Sequence, residues 1–182
     1  MLRIDEVREL LRAIPSDAAE AQLGPFVLIQ RPQHLEDLDR ALRVGVGPTD
    51  KIALHATLPP ELVRQFDALQ VTTLPPLREE DELSLGRLPD NDVVVNDASV
   101  SKHHALLRWN ASRRRCVLVD LESRNGTLLN GSRVLAREEL LADGDLIQMG
   151  EAVFVYFETG AFRSRLDAPP LQLRGAAQTA SG

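Results

Sequence analysis

The 182-residue chain has a single cysteine, Cys116, which excludes a disulfide framework or a metal site built on cysteines alone. Followed by "VLVD", it reads as a small hydrophobe on a buried strand rather than a reactive thiol. Long apolar runs are missing as well. The stretches "FVLI" at 26–29 and "VFVYF" at 153–157 fall far short of the roughly 20 residues a membrane-spanning helix needs. No basic segment followed by an apolar one opens the chain, so a cytoplasmic protein without a membrane partner is expected. With 43% hydrophobic and 26% charged residues, the chain can still build one substantial core and a smaller one.

Net positive charge is also lacking. The formal value of -6 argues against a nucleic-acid partner, because a phosphate backbone is held largely by neutralising cations. The deficit is uneven along the chain. Residues 84–137 carry 9 basic and 5 acidic side chains, a local excess of +4 between two acidic flanks. A confined positive patch of this kind suits a discrete anion better than a long polyanion, which the flanks would repel.

The first 68 residues read as a small α/β unit. In "IDEVRELLRAI" at 4–14, Ile4, Val7, Leu10, Leu11 and Ile14 recur at helical spacing before Pro15, which closes the segment. Strands are expected at "FVLIQ" (26–30) and "KIALHAT" (51–57), and helices around 34–43 and 60–69. No motif in this unit points to a function.

From residue 69 the pattern changes to short apolar or alternating runs, at 69–74, 82–86, 92–95, 104–109, 115–121, 127–130, 145–150 and 152–158. Between them lie turn-forming stretches such as "PDND", "NASR", "SRNG" and "ADGD". Many short strands at such intervals predict an all-β sandwich or barrel over 69–160. The tail, 161–182, is poor in large apolar residues and is expected to be disordered.

Within the β region, "GR" at 86–87, "SKHH" at 101–104, "SRNGT" at 123–127 and "NG" at 130–131 each stand where a strand meets a loop. Loops of a sandwich gather at its two ends, so these distant segments can converge. Convergence would bring together the guanidinium of Arg87, the hydroxyl of Ser101, the ammonium of Lys102 and the amide of Asn125. Charge-assisted donors of this kind match the oxygens of a phosphate dianion, with arginine as a fork and lysine as a point charge. An asparagine amide, donor and acceptor at once, can pair with the backbone of an extended peptide. The set therefore points to a phosphopeptide.

The same residues carry a family resemblance. Gly86-Arg87, Ser101-x-x-His104, Ser123-x-Asn125-Gly126-Thr127, Asn130-Gly131 and the closing "DGDLIQMG" together resemble the forkhead-associated (FHA) domain, over residues 69 to 158. That resemblance implies a mainly β fold, an FHA-type (SMAD/FHA-like) sandwich preceded by the small α/β unit. It implies that Arg87 and Ser101 bind phosphate, that Lys102 assists from the edge and that Asn125 holds the peptide main chain. His104 would brace the binding loop, and Gly86, Gly126, Asn130 and Gly131 would shape turns. Arg124 stands where relatives commonly have threonine, adding a phosphate contact or a preference for acidic ligand residues.

Plainer roles exist for each residue. Ser101 can simply cap a turn, and both Asn-Gly pairs are hairpin signals. His103 and His104 lie side by side, and no further ligand is evident, so no metal is expected. Nothing pairs a nucleophile with a base, so no catalytic residue, no cofactor and no enzymatic activity are expected. "RRR" at 113–115 reads as a solvated hairpin tip and Trp109 as packing. The expected partner is a phosphothreonine-containing protein or peptide, such as a serine/threonine kinase or its substrate, in kinase signalling. The alternative is a phospho-independent scaffold or secretion-system component acting through protein contacts.

Overall fold

The computed structural model describes residues 2–15, 18–31, 69–72, 74, 77, 80–134 and 138–167. The helix expected around 34–43, the strand at 51–57 and nearly all of the helix at 60–69 lie outside them. The elements are β1 (Leu2–Arg3), α1 (Ile4–Ala13), α2 (Ala19–Leu23), β2 (Phe26–Arg31), β3 (Gln70–Thr72), β4 (Glu80–Gly86) and β5 (Val93–Val94). They continue with β6 (Ala105–Asn110), β7 (Arg115–Asp120), β8 (Thr127–Leu129), β9 (Ser132–Val134), β10 (Glu139–Leu140), β11 (Leu146–Met149), β12 (Ala152–Glu158) and α3 (Thr159–Asp167).

Two sheets face each other. One has five strands in the order β10-β7-β6-β4-β5, and the other seven in the order β1-β3-β2-β12-β11-β8-β9. In β6, Ala105, Leu107 and Trp109 point inward while Leu106, Arg108 and Asn110 are only half-buried, the period-2 signature of a sheet with one packed face. The inner core joins Leu83, Leu85, Leu107, Cys116 and Leu118 of the small sheet to Phe26, Ile147, Met149, Phe154 and Tyr156 of the large one. Trp109 packs there against Phe26, with ring centroids 5.8 Å apart. Burial pushes the Cys116 thiol up to about 12, so it stays an inert neutral hydrophobe.

Residues 26–31, expected to belong to a separate unit, pair with this sandwich as β2. β2 pairs antiparallel with β12 over six residues, from Val153↔Arg31 to Glu158↔Phe26, and with β3 on its other side. The physical reason is visible in its burial. Phe26 and Leu28 enter the inner core, whereas Val27 and Ile29 belong to a second core on the opposite face. That face is covered by Ile4, Val7 and Leu11 of α1, Leu23 of α2, and Phe162 and Leu166 of α3. A strand apolar on both sides needs a cover on each, and the helices supply the second one.

The tail also departs from expectation over its first residues. α3 continues from β12 and buries Phe162 completely, stacking it at 5.9 Å on Phe157. Arg165 lies 4.8 Å above the same Phe157 ring. The guanidinium of Arg163 donates to the carbonyls of Ile14 and Pro15 just after α1. The bidentate pair of Arg114 with Glu20 ties the β6–β7 hairpin to α2, so "RRR" is anchored at its middle residue. Phe162→Ala should cost about 3–5 kcal/mol. Urea denaturation followed by tryptophan fluorescence and far-UV dichroism should show one coincident transition; two separate ones would mean that the helical layer folds by itself.

Candidate functional site

Three connections meet at one rim: 87–92 after β4, 95–104 between β5 and β6, and 121–126 between β7 and β8. β4 and β6 are neighbours in the small sheet, and β7 lies beside β6, so adjacent strand ends deliver these loops together. Arg87 N–H donates to the Ser101 carbonyl at 2.9 Å, and the Ser101 hydroxyl oxygen accepts the Arg124 N–H at 2.9 Å. Arg87, Ser101, Lys102 and Arg124 line a common groove with Ala98, Ser99, Val100, His103 and Glu122. Asn125 borders it, its amide donating to the Ser99 carbonyl at 2.7 Å.

His104 holds the loops in register. It is fully buried. Its Nδ1 accepts the Ser101 N–H at 3.0 Å, which makes Nε2 the protonated nitrogen, directed at the Gly126 carbonyl at 3.3 Å. One neutral ring thus bridges two of the three loops, and the backbone N–H of His104 donates to Leu85 O of β4 at 2.8 Å. Burial lowers the His104 pKa, against the raising effects of the Gly126 bond and the Asp120 carboxylate. A second proton would also sit on Nδ1, facing the Ser101 N–H.

Three supporting residues were not singled out in the sequence. Asn91 is buried and its amide donates to Leu88 O and Lys102 O, both at 2.8 Å. Asp120 accepts from Ser123 Oγ and Thr127 Oγ1 at 2.6 Å each and from Ser123 N at 3.0 Å. Burial pushes the Asp120 carboxyl up, but the Ser123 and Thr127 bonds together with His104 outweigh it and hold the pKa low. Ser99 donates to Asp97 at 2.6 Å and accepts the Glu151 N–H at 2.8 Å. The i, i+3 spacing of Asp120 and Ser123 was a readable turn signal; Asn91, inside "PDND", looked like any turn residue.

The glycines and Asn130 have distinct settings. A Cβ on Gly86 would stand 2.2 Å from the Lys102 carbonyl and 2.9 Å from the Asn91 amide, so the backbones of two loops touch at this point. Asn125-Gly126 is not a hairpin turn: β7 and β8 belong to different sheets, and the pair sits in the crossing between them. Gly126 has φ 77. Asn130 and Gly131, with φ 51 and 83, turn β8 into β9, the double positive φ of a two-residue hairpin. Asn130 also donates to Asp145 at 2.8 Å and accepts from Leu146 N at 3.0 Å, on a different connection from the groove.

Chemically, the rim offers cations and donors. Arg87 Nε is used by Val100 O at 3.3 Å; its terminal nitrogens, the Lys102 ammonium and the Arg124 guanidinium have no carboxylate partner among the described residues. Ser101 accepts through oxygen and keeps its proton for a ligand. Glu122 is the one acid along the groove, held at φ 53. The other histidine, His103, is exposed and lies 3.2 Å from Asn91 Oδ1 and 3.7 Å from Asp90.

A β-sandwich with a cationic groove on its loop rim is suited to holding an anion. The family model described as FHA domain matches residues 83–150, which identifies that segment as a forkhead-associated domain. It is 35% identical over 80 residues to the oxoglutarate dehydrogenase inhibitor of Corynebacterium jeikeium, covering 44% of this chain and 53% of that one. It is 36% identical over 83 residues to protein phosphatase 2C 70 of Arabidopsis thaliana, covering 41% and 14%. Among solved structures, the Rv0020c FHA domain is 32% identical, with 50% of this chain and 82% of that one covered at a TM-score of 0.41. The chain spans about half or less of the length of these curated relatives.

Two consequences are measurable. Gly86→Ala should destabilise by roughly 1–3 kcal/mol, the usual cost of overpacking, and chemical-shift changes should reach Asn91 and Lys102. Because the folded His104 pKa lies below its unfolded value, its contribution is complete above the ordinary histidine pKa of about 6.5. It is lost as pH falls from there toward the folded value, at no more than about 1.4 kcal/mol per pH unit. Unfolding free energies from urea titrations at pH 7.5 and 5.5 should therefore fall in the wild type, with a smaller fall in His104→Asn.

Proposed function

We propose that the groove binds a phosphothreonine-containing segment of a partner protein, so that a serine/threonine kinase acting on that partner controls the association. The observation that carries this reading is the concentration of uncompensated donors. Arg87, Lys102 and Arg124 reach one groove without carboxylate partners, while Arg108 is clamped between Glu82 and Glu138 and Arg114 by Glu20. A phosphate carrying about -1.5 to -2 charges offers three acceptor oxygens to such a set, and the unmodified hydroxyl offers none of that charge. Recognition of phosphorylated motifs by arginine-centred sites is the mode FHA domains use.

Asn125 suits the peptide main chain. One N–H of its amide is committed to Ser99 O, which orients the group and leaves Oδ1 and the second N–H for a ligand backbone. The neighbouring loops are locked by His104, so the donors are held in place before the ligand arrives, which reduces the ordering cost of binding. No residue pair here is arranged for bond breaking; the groove retains its ligand and releases it unchanged. No helix among the described residues is long and apolar enough to cross a membrane.

Isothermal titration with paired phosphothreonine and threonine peptides tests this directly. The phosphorylated form should bind in the micromolar range or tighter. Arg87→Ala should weaken it at least ~10-fold, the scale of a lost charge-assisted hydrogen bond, and Ser101→Ala should weaken it by several fold. Affinity should fall as pH drops through about 6, where the phosphate becomes a monoanion, under conditions where dichroism shows the fold intact. Equal binding of both peptides would overturn the proposal.

A further inference from the structure

We infer that Arg133 is a specificity-determining residue, selecting ligands that carry an acidic side chain about two residues from the phosphothreonine. The inference rests on the phosphopeptide reading of the groove and adds a second subsite to it. Arg133 lies on β9, outside the groove itself, and is exposed. Its guanidinium lies against Gly126: Nη2, Cζ and Nε stand 2.9, 3.1 and 3.2 Å from where a Gly126 Cβ would be. Any side chain at 126 would displace it. Among the described residues Arg133 has no carboxylate or hydrogen-bond partner, so its cation is placed by packing on the loop and not by a protein acid.

The loop beneath it is rigid residue by residue. The Arg124 N–H is held by Ser101 Oγ, the Asn125 side chain by Ser99 O and the Gly126 carbonyl by His104 Nε2. Along 124–126 the chain therefore leads in fixed steps from the groove-lining Arg124, past the Asn125 amide, to the glycine under Arg133. Two residues of backbone span up to roughly 7 Å. An extended ligand advances about 3.3 Å per residue, so a peptide gripped at its phosphate and paired with Asn125 carries its second neighbour to Arg133. The chemistry that answers an unpaired, planar guanidinium is a carboxylate or a second phosphate. Glu122 lies along the groove and forms no ion pair with Arg133, so it does not neutralise this position.

The test uses the full chain and four phosphothreonine peptides on an alanine background: one with no acid, and three with a single aspartate one, two or three residues from the phosphothreonine on the side that gives the larger effect. Fluorescence anisotropy at about 0.1 M salt should show about two- to fivefold tighter binding for the aspartate two residues away, the range of an exposed ion pair. Arg133→Gln should erase that preference while binding the acid-free peptide as the wild type does. Arg133→Lys should keep part of it, and 1 M salt should remove it by screening. If all four peptides bind the wild type equally yet require their phosphate, this inference is overturned and the phosphothreonine reading stands. Preference surviving in Arg133→Gln but lost in Arg124→Gln would overturn the assignment to Arg133. If phosphate itself makes no difference, the underlying reading fails first.

Discussion

The site depends on one buried, uncharged imidazole. His104 is a single side chain with two opposite hydrogen-bonding needs, and the fold answers them with the Ser101 N–H on one nitrogen and the Gly126 carbonyl on the other. A buried ring left unmatched at either end would cost a desolvated polar group, so the loops that satisfy it are fixed relative to each other. Asn91 repeats the device nearby, bridging the Leu88 and Lys102 carbonyls, and Asp120 gathers Ser123 and Thr127 beneath the third loop. The polar interior of the rim is spent on geometry. Its charged exterior is left for the proposed ligand.

The cations would repel one another if they were forced into a dry pocket. They avoid this by standing on an exposed surface, where water and salt screen them, while the neutral groups behind them set their spacing. The division also explains why the protein tolerates a positive patch on a chain with a net charge of -6. Arg108 and Arg114, by contrast, are consumed in structural pairs, with Glu82 and Glu138 and with Glu20. Where the loops converge, Arg87, Lys102 and Arg124 have no carboxylate partner among the described residues.

Much of the small sheet could be read from the sequence because its strands have one wet face: Ala105, Leu107 and Trp109 alternate with less buried neighbours, and period 2 is plain. The residues expected at the rim, Arg87, Ser101, Lys102, Arg124 and Asn125, do come together there, because each sits beside a strand end whose partner strand was also visible. What misled was the same rule applied to 26–31. "FVLI" does not alternate, and within the first 68 residues it read as a strand of a separate α/β unit. A continuous run is what burial on two faces produces, and the complementary evidence lay in "VFVYF" at 153–157, equally unbroken. β9 and β10, three and two residues long, hold too little pattern to be seen at all. α3 was lost because only Phe162 and Leu166 anchor its apolar side.

The extra layer changes the mechanical setting of the groove. β12, whose far face carries the helices, is hydrogen-bonded to β11, and the turn between them reaches the rim: a Cβ on Gly150 would stand 2.4 Å from Ser99 Oγ, and Glu151 N donates to that same oxygen. Ser99 in turn offers its carbonyl to Asn125. A continuous run of bonded groups therefore leads from the turn that follows β11, through Ser99, to the amide proposed to hold the ligand backbone. Two structural elements meet at Ser99, the turn of the large sheet and the loop of the small one, and neither can shift without breaking a bond to the other. This ties the large sheet to the proposed binding site, although every donor proposed to face the phosphate comes from strand ends of the small sheet and the loops attached to them.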